Sequence, residues 1–400
     1  METMETIYTS NFKTGAYEFY HQLRKTDPVY AMNQQNGQTS WMITKYDQVK
    51  ELLKSPNFIK DQSKIFVTPA AEGDEGKIIR IFRNMMLDAD PPDHTRLRKL
   101  VQPFFNPKTI KALEPRMQAI ANDLITELKT QDGPVDLITH FAFPLPIIVI
   151  SEMLGVPTKD RHKFRKWSNT ILAASDNLTT NFAEDVEDFI AYLSRLFEER
   201  KEQPQDDLIS KLLQAEEEGE KLNRDELYSM IVLLIIAGHE TTVNLIANTM
   251  YALFEHPDQL KAVQKDHSLI EPAIEEGLRF YSPVDFSTAR WSEKDMEFHG
   301  KTFKRGDFVL ASLSSANRDE EKFTDANTFD ITRNPSAHVA FGFGIHFCLG
   351  APLARLEGKI ALESLLTAFP SIRMASQEQP QWINQFLLRG LKELNVQLEA

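Results

Sequence analysis

The stretch from Asn223 to His256 constrains the fold of this chain more than any other. Asn223-Arg224-Asp225-Glu226 reads as an N-cap followed by an acid at the third helical position, and Pro257 stops the helix. A helix of about 33 residues is roughly 50 Å long at 1.5 Å per residue. Its middle is apolar on every side, so no face of it belongs in water. The rest of the chain has to pack around it, which predicts a large helical body. The unbroken aliphatic run 231–237 is too short to span a bilayer, and Pro144 and Pro146 interrupt the apolar stretch 141–150. No membrane anchor is expected.

Within that buried helix stands Ala237-Gly238-His239-Glu240-Thr241-Thr242. Gly238 costs a helix interior about 1 kcal/mol relative to Ala. Glu240 is an acid in an apolar segment, and Thr241 and Thr242 are poor helix formers. Several local rules broken together in a core helix mark a functional site. Two threonines can equally back-bond to carbonyls one turn earlier and merely bend the helix. His239 reads as structural or solvent-linked, not as a metal ligand.

Cys348 is the only cysteine, and it lies in Phe341-Gly342-Phe343-Gly344-Ile345-His346-Phe347-Cys348-Leu349-Gly350. Glycines at 342, 344 and 350 let this loop run close and flat against a planar object, and three phenylalanines shield it from water. A helical pattern starts at once in Leu349, which places the cysteine at a helix N-terminus. There the dipole and free N–H groups favour thiolate over thiol. A lone cysteine is more often an inert buried residue, but a shielded thiolate beside a flat apolar cofactor is what haem iron needs for O–O cleavage.

The loop resembles the haem-binding loop of the cytochromes P450: Phe, two residues, Gly, one residue, His or Arg, one residue, Cys, one residue, Gly. Phe341, Gly344, His346, Cys348 and Gly350 fill those slots. The resemblance implies one cytochrome P450 domain over residues 1–400, mainly α with small β-sheets. Haem would lie between the long central helix and the cysteine-loop helix. It implies heme b held by Cys348 as the metal ligand, with Phe341, Gly342 and Gly350 beside it. Residues 237–242 are similar to the family's oxygen-binding segment, in which Glu240 and Thr241 match the acid–alcohol pair. Cleaving dioxygen takes two protons at its outer oxygen without admitting bulk water. Gly238 would leave room for dioxygen, Thr241 would hold the reacting oxygen and an ordered water, and Glu240 would relay protons. The family's peroxide-using members lack such a pair, so its presence favours dioxygen plus electrons.

Glu276-Gly277-Leu278-Arg279 puts opposite charges on one helix face, as many solvated surface pairs do. By the resemblance this pair locks onto an arginine of a later meander, for which Phe329-Asp330-Ile331-Thr332-Arg333 offers Arg333. His94 and Arg98, four apart after Pro91-Pro92, resemble the propionate-binding helix; with Arg290 and His346 they would serve the two haem carboxylates. Substrate contacts are carried over coarsely to 59–87, 167–182, 234–237, 284–287 and 386–388, with Asp285 and Ser287 as hydrogen-bonding members. A lipophilic, medium-sized substrate follows, of terpenoid, steroid, fatty-acid or polyketide type.

A net charge of −13 argues against a nucleic-acid partner. One cysteine excludes an internal disulfide and suits a reducing compartment, and residues 1–7 have no signal-peptide pattern, so a cytoplasmic monomer is expected. With one cysteine and no Gly-x-Gly-x-x-Gly after a strand, no iron–sulfur or flavin domain is expected in these 400 residues. Electrons would come from a separate ferredoxin or flavodoxin with its reductase, docking on the cysteine side near Arg355 and Lys359. Other readings are a peroxide-driven peroxygenase or ring-forming catalyst on the same fold, and a non-enzymatic haem sensor or carrier. A carrier has no use for the Glu240–Thr241 pair. Locally, the pattern predicts helices at 16–25, 47–54 and 353–369 and strands at 40–44, 296–298, 301–303 and 308–312. Residues 59–87 read as irregular, 93–281 as overwhelmingly helical and 317–337 as a meander.

Overall fold

Helical periodicity runs through most of the sequence, and the computed structural model follows it. The structure describes residues 10–33, 39–66, 73–160, 163, 164, 166, 167, 170, 182–217, 222–333 and 337–399. They build two compact units: 1–59 with 111–145 and 241–400, and 60–110 with 146–240.

The first unit contains the sheets. Strands β1 (Val29–Asn33), β2 (Thr39–Ile43), β3 (Phe58–Ile59), β5 (Arg290–Ser292) and β8 (Phe308–Ala311) form one sheet in the order β1-β2-β8-β5-β3. The β2–β8 pair is parallel, with Ser40 opposite Phe308; β5 runs antiparallel to β8, with Arg290 opposite Val309. Strands β6 (Met296–Phe298) and β7 (Lys301–Phe303) form a hairpin. His299 and Gly300 turn it with φ of 47° and 77°, which suits the right-handed twist of paired strands. Trp41 stacks on Phe303 with ring centres 4.5 Å apart, and Phe58 meets Phe298 and Phe303 edge-on. A smaller sheet joins β4 (Val135–Asp136), β10 (Asn395–Gln397) and β9 (Arg373–Met374) in the order β4-β10-β9.

The central helix spans Arg224–Glu255. Its N-terminus is a reciprocal box: Glu226 N–H donates to Asn223 Oδ1 at 2.9 Å, and Asn223 N–H donates to Glu226 Oε2 at 2.9 Å. Among the described residues it is the one helix long and apolar enough to cross a bilayer, but 72% of its most apolar window is buried within the protein. It is a core helix. Two glycines let neighbouring helices close on it: a Cβ at Gly277 would stand 2.2 Å from Thr249 Oγ1, and one at Gly358 would stand 3.4 Å from Leu245 Cδ2. Helices Ile270–Phe280 and Ala351–Ala368 therefore lie tight against its second half.

The second unit is helical, built on Gly73–Arg83, Asp93–Val101, Phe182–Glu202 and Leu208–Glu217. The segment expected to be irregular from 59 to 87 thus contains a helix. Ile78 and Ile81, three apart, both face inward and hold it. Residues 67–72 and most of 167–182, two stretches expected to meet substrate, lie outside the described residues. Trp167 itself stacks on Phe189 at 5.1 Å.

Candidate haem-thiolate site

The cysteine loop is held by its own backbone and by one helix end. Gly342 N–H donates to Val339 O at 2.8 Å, Phe347 N–H to Gly344 O at 3.1 Å, and Cys348 N–H to Phe341 O at 2.9 Å. Gly342 and Gly344 take φ of 72° and 78°, a region other residues enter at a cost. A Cβ at Gly344 would stand 2.8 Å from Leu53 O, so the loop rests directly on the end of helix Tyr46–Lys54. The following helix begins at Ala351, with Gly350 as its cap, slightly later than the sequence pattern suggests. Cys348 Sγ sits over that cap, 4.0 Å from where a Gly350 Cβ would be.

The loop's surroundings test whether a haem fits. Among the large apolar side chains of the described residues, the exposed ones are Ile345 and Phe347, at 51% and 41%. Both belong to this loop and flank the thiol. Side chains added at Gly342 or Gly350 would meet nothing closer than His346 O at 3.9 Å and the thiol itself at 4.0 Å. A bare backbone edge, an apolar skirt and one soft donor fit a flat apolar disc whose metal needs a single protein ligand. No cluster of three or more His, Cys, Asp or Glu side chains among the described residues offers a different metal cage.

Arg290, on β5, is buried and donates from Nη1 to Phe58 O at 2.9 Å and from Nη2 to Leu53 O at 3.5 Å. It shares the Leu53 carbonyl region with Gly344, so the sheet and the cysteine loop are tied at one point. His346 closes the turn Gly344–His346 within the loop. His94 is buried and Arg98 half-buried on helix Asp93–Val101 of the second unit.

The Glu276–Arg279 pair is buried at 2% and 0%, unlike a surface bridge. Arg279 donates from Nε and Nη2 to the two Glu276 oxygens at 2.8 and 2.7 Å, and from its remaining N–H groups to Asn317 O, Ala326 O and Thr328 O. Arg333 Nε adds a bond to Glu276 Oε1 at 3.3 Å. The meander expected from sequence is thus pinned to the pair. Its neighbour Glu275 accepts from Arg355 Nε at 2.6 Å and pairs with His338 Nε2 at 3.1 Å. Burial alone would raise its pKa, but the Arg355 and His338 contacts outweigh that and hold it at about 2. Arg355 also lies 4.6 Å above the Phe341 ring, and Lys359 pairs with Glu271 at 2.5 Å. Both cations expected at a docking surface are paired within the protein and remain partly exposed.

On the central helix, the helical assignment is unbroken through 237–242. His239 is fully buried, its Nδ1 is 2.7 Å from Ile235 O, and burial lowers its pKa to about 4, so the imidazole is neutral at pH 7. Its Nε2 stands 3.8 Å from Glu240 Oε2. A Cβ at Gly238 would be 3.3 Å from Ile150 Cγ1, so this glycine also lets Ile150 pack close to the helix. Asp285 differs from expectation. Asp285 is buried between Lys13 Nζ at 3.1 Å and Arg389 Nε at 2.8 Å, and Ser287 Oγ accepts from Ala311 N–H at 3.2 Å. The Asp285 carboxylate is consumed in structure, and nothing in the local sequence announced the Lys13–Asp285–Arg389 cluster, because Asp285 stands 272 residues from Lys13 and 104 from Arg389.

A mainly helical body presenting one thiol on a bare, apolar loop is the build of a haem-thiolate protein. The family description of cytochrome P450 matches residues 6–399, and the chain belongs to that family. It is 45% identical over 397 residues to a cytochrome P450 of Bacillus subtilis strain 168, covering 98% of this chain and 97% of that one. To vitamin D(3) 25-hydroxylase of Pseudonocardia autotrophica it is 40% identical, covering 98% and 95%. The solved structure of the bacillaene polyketide synthase cytochrome P450 PksS of B. subtilis superposes with a TM-score of 0.90 at 38% identity, covering 98% and 99%. The chain is a haem-containing monooxygenase that uses dioxygen and redox partners on lipophilic substrates.

Proposed function

We propose that residues 1–400 act as one cytochrome P450 domain that binds heme b through Cys348 and oxidises a medium-sized lipophilic skeleton. The exposed apolar loop around a single thiol carries this reading. When bound, the haem supplies the activation of dioxygen for insertion of one oxygen atom into a C–H or C=C bond. The chain's part is to hold that group, keep water away and deliver protons. Phe341, Gly342 and Gly350 form the bare wall beside Cys348, while His94, Arg98, Arg290 and His346 supply donors for the two propionates. Relatives named for polyketide biosynthesis and vitamin D3 hydroxylation support a lipophilic carbon skeleton as substrate.

Glu240 and Thr241 are the catalytic pair. Successive side chains on a helix point about 100° apart, so Glu240 cannot hand a proton straight to Thr241. A water bridges them: Glu240 takes the proton at its carboxylate, and Thr241 Oγ1 passes it towards the reacting oxygen. Neutral His239 holds no charge that would compete. Electrons arrive from a ferredoxin or flavodoxin with its reductase, the protein working as a cytoplasmic monomer. Lys50 and Lys54, 4.5 and 5.1 Å from the Phe343 ring, put two cations on the flank of the cysteine loop and suit an acidic partner.

The test is a spectral-shift screen of lipophilic compounds, followed by turnover of the hits. Oxygenated product with NAD(P)H and a ferredoxin or flavodoxin system supports the reading. Turnover with hydrogen peroxide alone, and none with either partner, contradicts it.

A further inference from the structure

Two short extended segments of the first unit, around Val284 and Leu388, carry apolar side chains on one face and ions on the other. Val284 and Leu388 pair as an antiparallel bridge. Asp285 N–H donates to Leu387 O at 2.7 Å, and Arg389 N–H donates to Pro283 O at 2.9 Å. Side chains alternate across such a pair. Val284 and Leu388 therefore share one face, half-buried, while Asp285 and Arg389 share the other, fully enclosed. There Arg389 Nε donates to Asp285 Oδ1 at 2.8 Å, and Ser314 Oγ donates to the same oxygen at 2.6 Å.

The central helix holds the pair from behind. Asn248 Nδ2 donates to Arg389 O at 2.8 Å and to Tyr281 O at 3.1 Å. Asn248 falls on the stripe of Thr241, about two turns further along. A Cβ at Gly390 would stand 2.1 Å from Asn244 Oδ1, so the chain lies directly against that helix.

Lys13 is the member that charge balance does not require. Arg389 already neutralises Asp285, so within the trio the cations outnumber the carboxylate. Enclosing a charge is costly unless it is paired and hydrogen-bonded. Lys13 Nζ donates to Asp285 Oδ2 at 3.1 Å and to Leu388 O, and Arg389 Nη1 donates to Lys13 O at 3.0 Å. The Arg389 guanidinium also lies 4.7 Å from the Tyr17 ring and 4.8 Å from the Trp382 ring. One ammonium of helix Ser10–Thr26 thus grips a side chain of the first segment and the main chain of the second.

We propose that Lys13 is a positioning residue for the reaction. It fixes the spacing of Val284 and Leu388, the apolar pair in two of the segments expected to meet substrate, and through them it selects the carbon that is oxidised. That selection rests on the reading of the protein as an oxygenase of lipophilic skeletons; the fastening of the two segments does not.

Hydrogen–deuterium exchange of the haem-loaded protein tests the fastening. Lys13→Met keeps an apolar stem and leaves Asp285 paired with Arg389. In it the amides of 383–390 should exchange severalfold faster, while the cysteine loop 341–350 exchanges as in wild type. Lys25→Met, at an exposed position of the same helix, should change neither. Equal exchange of 383–390 in wild type and Lys13→Met overturns the fastening.

Turnover gives the second readout, on dodecanoic acid, progesterone and any hit of the spectral screen, with one reconstituted redox system. Lys13→Met should shift the ratio of oxygenated regioisomers severalfold with the carbon monoxide spectrum unchanged. Lys13→Arg, which keeps a cation, should move the ratio back towards wild type. An unchanged ratio in Lys13→Met overturns the positioning role. Should Lys13→Met fail to fold, Ser314→Ala, which removes one bond to Asp285, should move exchange and ratio in the same direction by less; no movement in either overturns the proposal. A wild type that oxidises none of these compounds sinks the functional reading and the selection with it, while exchange still decides the fastening.

Discussion

Gly344 meets Leu53 main chain to main chain, with no room for a Cβ between them: that atom would lie 2.8 Å from the Leu53 carbonyl oxygen. Arg290 approaches the same oxygen at 3.5 Å. One carbonyl at a helix end thus seats both the cysteine loop and a candidate propionate donor.

Gly344→Ala should therefore be worse than Gly342→Ala. Both positions have positive φ, and strain of that kind costs about 1–3 kcal/mol. Only at 344 does a backbone collision add to it. Haem content and urea denaturation of the two variants check this; equal losses would show that backbone strain alone matters.

Glu276→Ala and Arg279→Ala each strand a buried partner. Breaking such a pair costs about 3–5 kcal/mol, so both variants should be poorly folded or haem-free. Arg333→Ala should cost less, since Arg333 adds only a 3.3 Å contact to a pair already bonded on both oxygens. A fully loaded, normally stable Glu276→Ala protein would contradict the assignment.

Much of this frame is legible in the sequence. The Phe341–Gly350 spacing, the Glu276–Arg279 pair and the Asn223 cap follow from residue types at short separations, where local chemistry decides. Strands β6 and β7 appear where the turn at Gly300 puts them. What was not legible depends on distant partners. β5 has three residues and is a strand only because β8 and β3 flank it. Asp285 looked like a polar group for substrate because Lys13 and Arg389, which neutralise it, stand at opposite ends of the chain.

Acid sensitivity should be traceable to Glu275. Its pKa falls from 4.5 unfolded to about 2 folded, so its contribution is whole above 4.5 and disappears as pH drops towards 2. At about 1.4 kcal/mol per unit the full shift is roughly 3 kcal/mol, which partial exposure of Glu275 and Arg355 reduces to about 1–2 kcal/mol. Glu275→Gln should flatten the acid limb of stability between those values. An unchanged acid limb would remove Glu275 from the account.

The Glu240 and Thr241 variants should fail differently. Thr241→Ala should bind substrate and accept electrons normally, yet yield less product per NAD(P)H and release hydrogen peroxide instead. Glu240→Gln should slow turnover as a whole and enlarge the solvent isotope effect; a tenfold slowing corresponds to about 1.4 kcal/mol in the barrier. Oxygen, peroxide and product measured on one substrate separate the two. Unchanged coupling in the first and unchanged rate in the second would take both residues out of the mechanism.

Everything in the account depends on the thiolate of Cys348, and the reduced, carbon monoxide-bound spectrum reads that ligand directly. The wild type should show the strongly red-shifted Soret band characteristic of thiolate-ligated haem, and Cys348→Ser should lose it. A wild type without that band, or a Cys348→Ser variant that keeps it, would contradict the assignment.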